Sequence, residues 1–295
     1  MAAPPRISLH TTNYNTMPFT RPSLESVLGR LQGLNWEMAV TDNLSTDGSC
    51  EVLKEFADRG LPITVLRRRC NRGTGRDLAL RSTRGAIALT FDLDTVYNDA
   101  WRRMVDWYLE RRPAYALVAT YSGCYPRAAL DAVGGWRDFQ YWEDVDLWIR
   151  LASKGLYRTY PMRCGENQKR PPAAGQKTPR LYAKMRDTMA VGDWIPFAAY
   201  RRGYAALFPL GKDPRRALYY RGVLWGALMP ARLKRWRLCR RDYSPEAMLA
   251  PEVFVDLGLV PGAELRPLVS AYDTREGVAA AVRRGDYGFL PGTYD

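Results

Sequence analysis

Strand and helix patterns alternate along the first half of this chain, and that alternation constrains the fold more than any other feature. Arg6–Thr12 (RISLHTT) and Trp36–Thr41 (WEMAVT) predict short buried strands; between them Leu24, Val27, Leu28 and Leu31 recur at helical spacing within residues 22–31. The pattern then repeats. Ser45 is a suitable N-cap for residues 45–60, where Val52, Leu53 and Phe56 form one stripe and Gly60 supplies the stop. PITVLRR predicts a third strand, GRDLALRSTRG a helix closed by Gly85, and AIALTF a fourth strand. A helix over 100–111, a strand over 115–120, a short helix turning at Gly134 and Gly135, and a helix over 143–154 follow. Such a series predicts an α/β domain, a mostly parallel sheet flanked by helices on both faces.

In open α/β sheets ligands gather at the carboxyl ends of the strands, and the polar residues of this chain concentrate there. The fourth strand runs into FDLD. Residues two apart on a strand project to the same side, so Asp92 and Asp94 can reach one ligand. Carboxylates beside a core need a partner, and a hard divalent cation is one; polar capping of the strand end is the other reading. VTDNLSTDGS, residues 40–49, puts Asp42 at the end of the second strand, either facing a nucleobase or ribose or capping an ordinary strand-to-helix turn. NRGTGRD, residues 71–77, sets Arg76 at a helix start, where backbone N–H groups and a guanidinium suit phosphate. It has the spacing of neither a Walker A loop nor GxGxxG. YWEDVDLWIRL, residues 141–151, places Glu143 and Asp144 at a helix start. The helix dipole alone stabilises negative charge there, while crowding also raises a carboxylate pKa toward the range of a general base. Trp136, Tyr141, Trp142 and Trp148 lie around this helix, as platforms for sugars or as core.

Together, in this order, these pieces resemble family two of the inverting nucleotide-sugar glycosyltransferases, which have the GT-A fold, over about residues 6–160. TTNYN stands where the family has a Thr-Tyr-Asn-like run, VTDNLSTDGS where it has a pattern close to VDNGSTDGS, FDLD at its metal motif, and GGW followed by WEDVDLWIRL at its acceptor-side GGF and ED motifs. Thr16 replaces the glutamate of many members, Leu44 the usual glycine, and no late histidine is available to a metal. The resemblance implies a UDP- or GDP-sugar donor with Thr11, Asn13, Tyr14 and Asp42 near the nucleoside and Arg76 near base or phosphate. It implies Mn2+ or Mg2+ on Asp94, with Asp92 on ribose or metal. It also implies Asp144 as general base assisted by Glu143, Trp142 and Trp148 on the acceptor side, and a glycan or lipid-linked acceptor.

Charge divides the rest of the chain. Of a formal +13 over 295 residues, the stretch 201–241 carries twelve basic residues against Asp213 alone, a net of +11, and 242–295 carries a net of −5. We expect residues 1–200 to be the catalytic domain and 201–295 a helical extension, basic and amphipathic before it turns acidic. Its Trp and Leu beside Lys and Arg suit either an anionic membrane surface or packing on the domain. The opening MAAPPRISLH lacks a signal-peptide core, and no segment approaches roughly 18 uninterrupted apolar residues, so we expect a cytoplasmic protein, soluble or peripheral. Five widely spaced cysteines without a CxxC pair suggest reduced thiols. A sugar-phosphate nucleotidyltransferase is the rival enzyme, but TTNYNTMPF is not the glycine-rich loop it wants after the first strand. A basic membrane- or nucleic-acid-binding module on an inactive scaffold is the other rival. Retention of both carboxylate pairs argues against it, and against a nucleic-acid partner.

Overall fold

The computed structural model describes residues 7–119, 121–152, 154–160, 164–168 and 187. They fall into two units, the described residues of 7–139 with 164–168, and those of 140–160 with Asp187. The stretches 201–241 and 242–295, and the Pro- and Lys-rich segment 171–179, lie outside the described residues.

The first unit is built on β1 (Ile7–Asn13), whose residues are buried except for half-buried Thr12. The strand is central and covered on both faces, so Ser8, His10, Thr11 and Asn13 are buried along with Ile7 and Leu9. It pairs in parallel with β2 (Trp36–Asp42) on one side and with β4 (Ile87–Thr90) on the other, and β2 pairs in parallel with β3 (Ile63–Arg67). Within the unit the order is β3-β2-β1-β4, continued by β7 (Ser122–Pro126) and β6 (Ala116–Ala119). The departure from expectation is β7, antiparallel to both β4 and β6. SGCYP has no run of apolar residues to announce a strand, and it forms because two edges are there to pair with. A second small sheet, β5 (Thr95–Tyr97) with β9 (Gly165–Asn167), brings residues of distant sequence beside the fourth strand's end.

The helices are α1 (Thr20–Arg30), α2 (Ser49–Asp58), α3 (Arg72–Arg81), α4 (Asp99–Arg111) and α5 (Arg127–Val133). Two starts differ by three residues or more from those expected. Helix α2 begins after Gly48 rather than at Ser45, whose hydroxyl is drawn into the loops beside it. Helix α3 begins three residues before Gly75 because the Asn71 side chain accepts from the Thr74 amide, 2.9 Å, a better cap than the glycine could provide. The core of Leu9, Val40, Leu53, Leu89, Trp101 and Met104 lies between sheet and helices. Cys50, Cys70, Cys124 and Cys164 are free thiols.

In the second unit, α6 (Glu143–Ala152) and β8 (Tyr157–Thr159) pack together through Trp148 and Tyr157, ring centroids 6.1 Å apart.

Candidate functional site

Asn13, Asp42 and Arg67 are opposite one another in register, so the carboxyl ends of β1, β2 and β3 form one polar edge. Asn13 is the hub. Its amide nitrogen lies 2.7 Å from Asp42 Oδ1, 2.9 Å from Ser49 Oγ and 3.1 Å from Ser45 Oγ. Asp42 is buried; its Oδ2 accepts from the Ser45 amide at 3.1 Å, and Arg67 Nε lies 3.8 Å away. The carboxylate therefore organises the loop after β2, the turn-capping arrangement, from a position at the sheet edge. The loops after β1 and β2 are joined directly: the Asn15 amide donates to Ser45 Oγ, the Thr46 amide to Asn15 Oδ1 and the Met17 amide to Asp47 Oδ2. In these loops Tyr14 is 61% exposed and Leu44 44% exposed with φ +55. Thr11 is buried in β1, its hydroxyl without a hydrogen-bond partner among the described residues.

The two acids of FDLD are not on a strand. β4 ends at Thr90 and β5 starts at Thr95, so Asp92 and Asp94 occupy the connecting turn and their directions follow their partners rather than a strand's two-residue period. Asp92 Oδ1 accepts from Arg76 Nη2 at 2.7 Å. Its amide donates to the Tyr97 hydroxyl, which donates to the Tyr121 carbonyl, and its carbonyl accepts from Ser23 Oγ. Asp94 Oδ1 accepts from Asn167 Nδ2 at 2.9 Å. Neither Asn167 nor Tyr97 carried a signal in the sequence, since β5 and β9 are too short to announce themselves.

Arg76, expected near base or phosphate, is buried. Its guanidinium carbon lies 5.0 Å from the centre of the Trp136 ring, and Trp136 Nε1 donates to His10 Nε2 at 3.1 Å. Burial, then the charges of Arg76 and Arg127, push the His10 pKa down to about 3, so the imidazole is neutral and its Nε2 is an acceptor. Trp136 is thus core, and the buried series His10, Trp136, Arg76 ends on Asp92.

Carboxylate oxygen is the donor type that a hard cation takes. Asp92 and Asp94 are half-buried carboxylates, and among the described residues no three or more His, Cys, Asp or Glu gather. An ion held by one or two carboxylates completes its shell with water and phosphate oxygens, the habit of Mg2+ and Mn2+.

The second unit holds the other expected residues. Glu143, Asp144 and Asp146 open α6. Glu143 is 2% exposed and Asp144 half-buried, whereas Asp146 is committed to Arg150 at 2.6 Å. Trp148 is buried, so it is core of this unit, and Trp142 is half-buried with φ +64. Asp187 lay outside every sequence pattern, yet it is buried against the segment that enters α6.

A sheet ordered β3-β2-β1-β4 with its polar residues collected at the carboxyl edge defines a GT-A-type α/β fold. The chain belongs to glycosyl transferase family 2, whose model matches residues 8–157. It is 25% identical over 117 residues to a Bacillus subtilis (strain 168) glycosyltransferase, TuaG, named for teichuronic acid biosynthesis. That match takes in 39% of this chain and 46% of TuaG, so the chain spans about half the length of this curated relative. Among solved structures, Staphylococcus aureus TarS residues 1–349 in complex with UDP-GlcNAc superposes with a TM-score of 0.53 at 16% identity, covering 96% of this chain and 93% of that one. The mannosyltransferase PcManGT of Pyrobaculum calidifontis, in complex with GDP-Man and Mn2+, gives 0.48 at 18% identity over 96% and 87%.

Proposed function

We infer that the protein is an inverting, metal-dependent glycosyltransferase that moves a sugar from a UDP- or GDP-sugar to a hydroxyl of a glycan or lipid-linked acceptor. One observation carries this: in a chain of this family, Asn13, Asp42 and the Asp92–Asp94 turn all stand at the carboxyl ends of β1, β2 and β4. The loops after β1 and β2 cradle the nucleoside, with Tyr14 as the exposed aromatic face. Arg76 acts through Asp92, fixing its carboxylate, while Asp94 and Asp92 hold the cation. When bound, Mn2+ or Mg2+ neutralises charge on the departing diphosphate.

Asp144 takes the proton of the acceptor hydroxyl, and Glu143 holds the local field. The acceptor oxygen bonds to the anomeric carbon as that carbon's bond to the β-phosphate oxygen breaks, so one displacement inverts the centre. The electron pair leaves on the nucleoside diphosphate.

A panel of UDP- and GDP-sugars, UDP-GlcNAc first, tested with Mn2+ for release of UDP or GDP, checks the donor class. Asp144→Asn should lower turnover by about 100- to 10,000-fold, the usual contribution of a general base. Asp94→Asn should lose several kcal/mol of leaving-group stabilisation and most of the response to Mn2+. Near-normal rates in both variants would remove the site assignment.

A further inference from the structure

We propose that Asp187 is a positioning residue that fixes the backbone from which Asp144 acts; the inference rests on Asp144 as the base. Asp187 is buried, and one oxygen of its carboxylate, Oδ2, accepts from two consecutive main-chain amides, Gln140 and Tyr141, at 2.8 Å each. A buried carboxylate needs donors, and two of them come from the chain entering α6. One residue further on, Trp142 adopts φ +64, a left-handed conformation rare for a bulky aromatic. The Trp142 carbonyl then accepts from the Asp146 amide at 2.8 Å, the first bond of α6. Clamped amides, a forced turn and a helix start thus follow one another directly into Glu143 and Asp144. Backbone held in a sparsely populated region persists only where its surroundings over-determine it. Asp187 is a surrounding group that does so, through contacts to main chain that no spacing of side chains in the sequence could reveal.

Two variants of the full chain separate positioning from charge and from stability. Asp187→Asn keeps an acceptor oxygen in place without the charge; Asp187→Glu keeps the charge and displaces the acceptor by one methylene. Turnover of UDP-GlcNAc and GDP-mannose with Mn2+ is measured, together with donor affinity by calorimetry and hydrogen exchange of the Gln140 and Tyr141 amides in the ligand-free protein. We expect Asp187→Glu to speed exchange of these two amides by about tenfold or more, a local opening that leaves β1 and β2 protected. It should lower kcat by about 100-fold, the scale of a misplacement near 1 Å, with donor affinity unchanged. Asp187→Asn should recover most of both. Unchanged exchange in both variants, equal kcat in Asp187→Glu and wild type, or a more active Asp187→Glu than Asp187→Asn would overturn the clamp. The separate Asp144→Asn measurement distinguishes the two levels: an active Asp144→Asn removes the base assignment, whereas an inactive one beside a normal Asp187→Glu removes only this inference. Exchange needs no donor, so a wild type silent toward both sugars still leaves the clamp decided.

Discussion

Arg76 shows how one side chain's surroundings redirect its role. A guanidinium at a helix start is a ready phosphate ligand, yet here it is buried, stacked on Trp136 and paired with Asp92. Removing the guanidinium leaves the half-buried Asp92 carboxylate without that donor, so Arg76→Leu should destabilise the fold by about 1–3 kcal/mol, measured by urea denaturation. The neutral imidazole of His10 gives a pH signature. Its folded pKa is lowered to about 3 against an unfolded value of 6.5. Its contribution to stability is therefore complete above about pH 6.5 and is lost as pH falls toward 3, because only the unfolded state takes up the proton over that range. The slope this one group adds is at most about 1.4 kcal/mol per pH unit. A melting temperature that drops less steeply between pH 6 and 4 in His10→Gln than in wild type is the expected outcome.

Among the elements, those set between helix patterns and turn residues were legible: β1, β2, β3, β4 and β6 fall within a residue or two of the predicted segments. The strands β5, β7 and β9 were not, since TVY, SGCYP and GEN have no pattern of their own and exist through pairing. Helix α3 shows an element set by a neighbour. A Cβ on Gly73 would sit 1.8 Å from the Arg137 carbonyl oxygen, and the Gly73 amide donates to the Phe139 carbonyl at 2.9 Å. The segment carrying Trp136 can lie against α3 only because that side chain is missing. Gly73→Ala should cost about 1–3 kcal/mol by overpacking, seen as a lower denaturation midpoint, with a weaker response to Mn2+ as Arg76 shifts from Asp92.

For the whole molecule, the distribution of charge matters beyond the polar edge of the sheet. The described residues contain no helix long and apolar enough to cross a membrane. The stretch 201–241, with a net of +11, is proposed to attach peripherally to an anionic bilayer. Flotation with phosphatidylserine-containing liposomes should show binding at low salt and its loss at high salt; absence of binding at low salt would dispose of the attachment. Donor binding should also raise the melting temperature in the presence of Mn2+, since a ligand held only by the folded state stabilises it by mass action.

What the chain determined by itself was the alternation of strand and helix, the polar residues at the strand ends, and the motif order shared with a family. Those features are local, and periodicity and composition are read from neighbours in sequence. The tertiary structure decided what each polar group does. Asp92 takes its guanidinium from 16 residues away and Asp94 its amide from 73, and Asp187 reaches back 47 positions to the Gln140 amide. Which donor each carboxylate finds depends on packing, and packing brings together groups that no interval along the sequence relates.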